Sequence, residues 1–399
     1  MLLKTPPLYF LLLLISTQFL SCTKQDKKSS AFSKKPTVTS LIMEPNTEDF
    51  PELTAADLNY KKNKINHFFQ KNLASKNTNI SFLVAQNGKI IYEKYAGTAN
   101  FAKKRPITST TPIHIASVSK VLTATVILKL INAGKLKLDQ KANTILKDLP
   151  YPDITIENLL NHRTGMRNYA YFTSEKGNWN QHKILSNQDI INVINAKNIK
   201  LEHKTGTRFS YCNTNYALLA LIIEKVTKKT YAEAMKTMLF HPLGMKNTFV
   251  YNYKTDQDTV VPSYRFTNRK VAFDYLDGIY GDKNIYSTPQ DLLKFDLARN
   301  SPYFLTPELR SKIYEGYSNE HKGEKNYGLG IRMIEWKTGQ KFYFHNGWWH
   351  GNMSAYVTLK KENTVIIALT NNYSKQVYRV RNLAPIFGDY PFKVMEDYE

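Results

Sequence analysis

Cysteine is nearly absent from this sequence: Cys22 and Cys212 are the two found in 399 residues. A disulfide framework is thereby excluded as the source of stability, and the fold must rest on an apolar core. Acidic residues are scarce too, 33 Asp and Glu against 55 Lys and Arg, which leaves a formal net charge of +22. The lysines are scattered and no basic helix alternates with aromatics. The charge therefore argues against nucleic acid and for anionic envelope polymers, lipid headgroups or plain solubility. No apolar run is long enough to cross a bilayer, no internal repeat is present, and no His-x-x-x-His or Cys-rich spacing offers a metal site. Neither a metal nor another cofactor is expected.

What is present begins with an address. Residues 1–21 carry an early Lys4 and a short apolar run at 8–15 before Phe19-Leu-Ser-Cys22, the layout of an export signal. Ser21-Cys22 resembles the lipobox of bacterial lipoproteins, although Phe19 departs from the usual aliphatic residue. The resemblance implies cleavage before Cys22, a lipid on that cysteine, and anchorage in the bacterial cell envelope, facing the periplasm or on the outer membrane. An ordinary export signal is the alternative. With Cys22 acylated, Cys212 has no partner in the chain. Residues 22–53, rich in Lys, Ser, Thr and Pro, read as a flexible tether. About 345 residues then remain for residues 54–399, enough for one large two-part domain.

In that part, Leu58, Ile65, Phe68, Phe69 and Leu73 recur at helical spacing behind a possible Thr54 cap. Residues 80–85 and 89–96 read as strands joined through Asn87-Gly88, a strong hairpin signal. Helical patterns follow Ser117 and recur from Ile156, from Ser186 and over residues 216–226. Residues 341–347, 353–359 and 364–370 read as strands. Strands at both ends with helices between predict an α/β fold of the α+β type. Its mostly antiparallel sheet is built from residues 54–115 and about 285–390, is flanked by helices, and carries an inserted, mainly helical subdomain over about 116–284.

Chemistry enters at His114-Ile-Ala-Ser-Val-Ser-Lys120. Ser117 stands where a loop gives way to a helix, and Lys120 follows one turn later on the same face. A serine alcohol needs a base to become a nucleophile, and a lysine desolvated against an apolar helix loses preference for its charged form. The pattern is cheap by itself, since Ser21 to Lys24 repeats it. Further on, Tyr211-Cys-Asn213 sits before an apolar helix, on a loop or extended segment that points both side chains the same way. His345-Asn-Gly347 ends a strand-like run. Together these resemble the three motifs of serine hydrolases of the β-lactamase and penicillin-binding-protein superfamily. The branch is that of class C β-lactamases, D-Ala-D-Ala carboxypeptidases, D-aminopeptidases and related esterases. The connectors Leu159-Leu-Asn-His-Arg-Thr-Gly-Met166, Pro242-Leu-Gly-Met245 and Tyr286-Ser-Thr-Pro-Gln-Asp-Leu292 extend the likeness, as does Gly351, and Tyr317-Ser-Asn319 is a decoy for the second motif.

The resemblance implies acyl transfer, with Ser117 attacking a carbonyl while Lys120 and Tyr211 move its proton to the leaving group. Tyrosine and lysine titrate near ~10 and ~10.4, so each must be tuned by its neighbour. Asn213 would hold Lys120 and the substrate amide, and the oxyanion would lie between the backbone N–H groups of Ser117 and Trp348. Trp348, Trp349 and His350 are expected to wall the cleft, and His162 to be structural. Where relatives carry a lysine, His345 is mostly neutral, which favours an esterase or a D-amino-acid amidase or peptidase over a β-lactamase or strict carboxypeptidase. Gly281-Asp-Lys-Asn284 departs from the glycine-richer loop of many relatives and leaves that rim of the pocket open. A penicillin-binding-like envelope protein that binds without turnover is the non-enzymatic alternative, and the oligomeric state is not readable. If the lipobox reading holds, Cys22→Ala releases the protein from membranes into the soluble fraction, as fractionation would measure.

Overall fold

The computed structural model describes residues 50–75, 78–320 and 323–392. The expected signal at 1–21, the expected lipidation site Cys22 and nearly all of the expected 22–53 tether therefore lie outside the described residues. Thr54 caps the first helix, α1 (Ala55–Asn72), its side chain accepting from the Asp57 N–H as an N-cap does. β1 (Ile80–Gln86) and β2 (Lys89–Ala96) follow. Their turn puts Asn87 and Gly88 at φ 49° and 74°, the two positive values that suit the twist of a hairpin.

After the turn that carries Ser117 come α2 (Ser119–Asn132), α3 (Asn187–Ala196), α4 (Asn213–Thr227) and α5 (Pro289–Asn300). The chain then returns to sheet with β3 (Lys325–Tyr327), β4 (Arg332–Glu335), β5 (Lys341–Trp349), β6 (Asn352–Leu359) and β7 (Thr364–Thr370). These make one seven-stranded sheet in the order β2-β1-β7-β6-β5-β4-β3. Every pairing is antiparallel, and β1 lies beside β7 from Ile80↔Thr370 to Gln86↔Thr364. The first and last strands of the sheet in chain order are thus neighbours within it.

Strand alternation sorts the core into two layers. Phe82, Val84, Ile366 and Ala368 face α1 and the turns of Lys375–Ile386, whereas Leu83, Ala85, Ile367 and Leu369 join the apolar residues of α2, α4 and α5. α2 and α4 are apolar nearly all round, with residues 119–128 of α2 and 214–223 of α4 buried without a break, the pattern of helices enclosed by protein.

Two differences from the sequence reading matter for the site. Asn213 is the first residue of α4, not part of the extended segment that holds Tyr211. β3 and β4 were not expected: they are short strands joined through Gly328-Leu-Gly330, β3 at the sheet edge and β4 between it and β5, and glycines there read as a turn. Phe82 is fully buried and its ring lies 5.9 Å from Phe69 and 5.8 Å from Tyr92. Phe82→Ala is expected to cost about 3–5 kcal/mol, read from the urea midpoint.

Candidate active site

The serine turn is strained and propped from behind. The pairing of Ile113–His114 with Tyr286 and Ser287 leads into a 3-10 turn over Ala116–Val118, where Ala116 adopts φ 47°, a conformation costly for a residue with a Cβ. The Ala116 N–H donates to His114 Nδ1 at 3.1 Å. Nδ1 is therefore unprotonated, and Nε2 donates to Asn284 Oδ1 at 3.0 Å. Burial pushes His114 down to about 4, so the neutral ring is the form that holds the turn.

Lys120 projects from the first turn of α2 and is fully buried. Its Nζ donates to Ser117 Oγ at 3.0 Å and to the main-chain oxygen of Asp282 at 2.9 Å. It also stands 5.1 Å from the centre of the Tyr211 ring. From β4, the Arg332 guanidinium lies 4.3 Å from the same ring. Burial pushes the Tyr211 phenol up, but Lys120, then Arg332, then hydrogen bonding with Ser117 and Lys120 pull it down and prevail, leaving it below its ordinary value. The Arg332 side chain makes no hydrogen bond or ion pair among the described residues, although it stands over the Tyr211 and Tyr327 rings. Sequence reasoning passed over it; its sole signal was one arginine two places after Gly330.

His162 packs behind Tyr211, ring centres 4.4 Å apart, with Nδ1 accepting from the Cys212 N–H at 3.2 Å and facing Asn215 Nδ2 at 3.0 Å. Burial, with Lys120 and Arg332 nearby, holds it well below the ordinary histidine value. Cys212 is a buried free thiol, pushed by burial up to about 11. Asn213 forms no hydrogen bond to Lys120 among the described residues, and its buried Oδ1 has no partner. The carbonyl of Asp282 occupies the role expected of that side chain.

His345 is fully buried on β5, its ring 6.2 Å from that of Tyr211. Nδ1 lies 2.9 Å from the Asn346 oxygen, which only accepts. The proton is therefore on Nδ1, and the Tyr327 hydroxyl donates to Nε2 at 3.2 Å. Burial, then Arg332 and Lys120, hold His345 well below its ordinary value. Gly347 runs against the serine turn: a Cβ there would stand 2.5 Å from the Ile115 oxygen and 2.9 Å from the Ala116 Cβ. Ser354 Oγ donates to that same Ile115 oxygen at 2.6 Å, so strand and turn are clamped together.

Trp348 is 61% exposed and its Nε1 donates to the His350 oxygen. Trp349 Nε1 donates to Asp277 Oδ1 at 2.7 Å, and His350 Nε2 lies 2.9 Å from Asp277 Oδ2. Asp274, Asp277 and His350 bring three possible metal-ligand atoms within 4.8 Å of one another. Asp277 already accepts from Trp349 and from the Asp274 N–H, so the cluster works as a clamp on the end of β5. Gly281 brings this loop close, its φ of 94° and its approach to the Tyr216 oxygen leaving no room for a Cβ.

A Beta-lactamase family model matches residues 65–386. Penicillin-binding protein 4* of Bacillus subtilis (strain 168) is 30% identical over 318 residues, which span 75% of this chain and 69% of that protein. Protein flp of Staphylococcus aureus (strain MW2) is 30% identical over 321 residues, 74% of this chain and 60% of its own length. Among solved structures, a penicillin binding protein from Bacillus halodurans superimposes with TM-score 0.68 at 23% identity, covering 77% of this chain and 95% of that one. D-amino acid amidase from Ochrobactrum anthropi SV3 superimposes with TM-score 0.66 at 20% identity, covering 81% and 97%; at such identities the likeness speaks for the fold. The family match runs from within α1 to the end of the C-terminal turns and takes in every residue just described around Ser117: this chain belongs to the Beta-lactamase family of serine hydrolases.

Proposed function

We propose that Ser117 is the nucleophile of an amidase or peptidase that works through an acyl-enzyme in the bacterial envelope. The observation that carries the reading is the buried Lys120 amine 3.0 Å from Ser117 Oγ, beside a phenol held below its ordinary value. Ser117 Oγ attacks the carbonyl carbon, its proton passing to Tyr211 or Lys120. The same proton goes to the leaving amine as the C–N bond breaks, and water then repeats the sequence on the ester to release the acid. Tyr211 is the better acceptor, because two cations already stabilise its anion.

Strand register supports the oxyanion assignment. The Trp336 N–H donates to the Gln340 oxygen, so Gln340 faces the β4 side and, by alternation, Phe342, Phe344, Asn346 and Trp348 face it too. β4 ends at Arg332, opposite Phe344. The main-chain groups of Asn346 and Trp348 therefore face an open edge beside the serine turn, which suits Trp348 N–H as one donor and Ser117 N–H as the other.

Arg332 changes the substrate argument made from His345. The neutral imidazole offers no fixed cation, but the unpaired guanidinium one strand away does, so a substrate carboxylate has a partner after all. That favours an amide or peptide with a free carboxylate over a simple ester. The similarity to a D-amino acid amidase and to penicillin-binding proteins supports an amide or peptide over an ester. Anchorage through Cys22 would keep such an enzyme at the wall.

Labelling, substrate preference and pH dependence test the reading. A fluorescent phosphonate or penicillin probe is expected to label the wild type and not Ser117→Ala; no labelling of either favours the binding protein. With p-nitrophenyl acetate, a D-Ala-D-Ala peptide and the same peptide amidated at its C-terminus side by side, the peptide with the free carboxylate is expected to be turned over fastest. Removing a cation beside a phenol raises its pKa, so Arg332→Met is expected to move the acid limb of kcat/KM to higher pH for every substrate. It is also expected to raise KM for a carboxylate-bearing peptide alone. His345, already neutral, is expected to add no break near pH ~6.5.

A further inference from the structure

Next to the site lies a buried ionic chain that the acyl-transfer scheme does not use. Asp282 and Lys283 are 1% and 3% exposed. Lys283 Nζ donates to the Tyr169 hydroxyl at 2.6 Å, and that hydroxyl donates to Asp282 Oδ2 at 2.8 Å. The direction is forced, because an ammonium only donates and a carboxylate only accepts. Lys283 Nζ also lies 3.7 Å from Asp282 Oδ1, which has no hydrogen bond, and 4.5 Å from the centre of the Trp349 ring.

From this geometry we infer that Lys283, Tyr169 and Asp282 are positioning residues for Lys120, acting through the main-chain oxygen of Asp282. That oxygen is one of the two acceptors that orient the Lys120 amine. A carbonyl gives a direction only if its own peptide is held, and here the side chain of the same residue is tied to a phenol and an ammonium. The phenol's residue is anchored in turn: the Tyr169 N–H donates to Thr214 Oγ1 at 2.7 Å, next to Asn213 at the start of α4. One chain of contacts thus links the amine, the second motif and, through Trp349, the end of β5.

Stability is a poor explanation for the arrangement. Burying an ammonium and a carboxylate costs several kcal/mol per ion, and apolar residues of similar volume generally hold a core as well or better. Charges at this spot do what apolar side chains cannot, which is to fix the orientation of a peptide group. Desolvation pushes Lys283 down and Tyr169 up, while Asp282 holds the lysine's proton in place and opposes loss of the phenol's.

The inference rests on Ser117 being the nucleophile, and the test separates the two. In the full-length protein, Tyr169→Phe removes one hydroxyl and leaves both charges. It is expected to lower kcat about ten- to a hundred-fold, with KM within about two-fold and a thermal midpoint within a few degrees of wild type. Asp282→Asn keeps the main-chain oxygen and is expected to lose the same factor, and the double variant no more than either alone, as links in one chain should. Wild-type kcat in a folded Tyr169→Phe, or losses that multiply in the double variant, would overturn the inference. Turnover surviving in Ser117→Ala would instead overturn the reading of the nucleophile.

Discussion

The structure depends on a lysine amine held out of water between a serine hydroxyl and a peptide oxygen. Lys120 is fully buried, and its two hydrogen bonds, to Ser117 and to the Asp282 oxygen, define where its remaining valence points. Such an amine is costly to bury unless its donors are met. The surroundings meet them by converging: α2 supplies the amine, the loop at Asp282 the carbonyl, and the faces of Tyr211 and Tyr216 lie 5.1 and 5.8 Å away. The amine, the carbonyl and the two rings come from three segments far apart in sequence.

Charge around that contact is divided between basic side chains and neutral imidazoles. Lys120 and Arg332 flank the Tyr211 ring and lower the phenol against its burial, while burial, helped by the same two side chains, keeps His162 and His345 neutral. The histidines are left to work as hydrogen-bond fixtures. His114 props the strained turn at Ala116, His162 receives the Cys212 N–H, and His345 takes the hydroxyl of Tyr327. A phenol between two cations is the one group in the cluster for which gaining negative charge is favourable. In the proposed acyl transfer, that asymmetry would give the proton a direction of travel.

Much of this was legible in the chain because it depends on near neighbours. The Thr54 cap, the Asn87-Gly88 hairpin, the Ser186 cap of α3 and the one-turn spacing of Ser117 and Lys120 obey rules that act over a few residues. β6 and β7 were legible from their β-branched and apolar runs, their ends landing within a residue of expectation. Arg332, Tyr327, Asp282 and Tyr169 were not. β4 is four residues long and follows two glycines, so nothing local marks it as a strand, still less as the one next to His345. In place of the expected tie between Asn213 and Lys120, the Asp282 carbonyl holds the amine.

By itself the sequence determined the family, the order of its motifs and the elements whose formation is local, since these are set by residue type and short spacing. Which cation stands over the phenol, which oxygen holds the amine and which main-chain groups face the open edge of β5 were decided by the tertiary structure. Those choices turn on strand register and on the packing of a loop against α4, and both are settled by contacts between segments far apart in the chain.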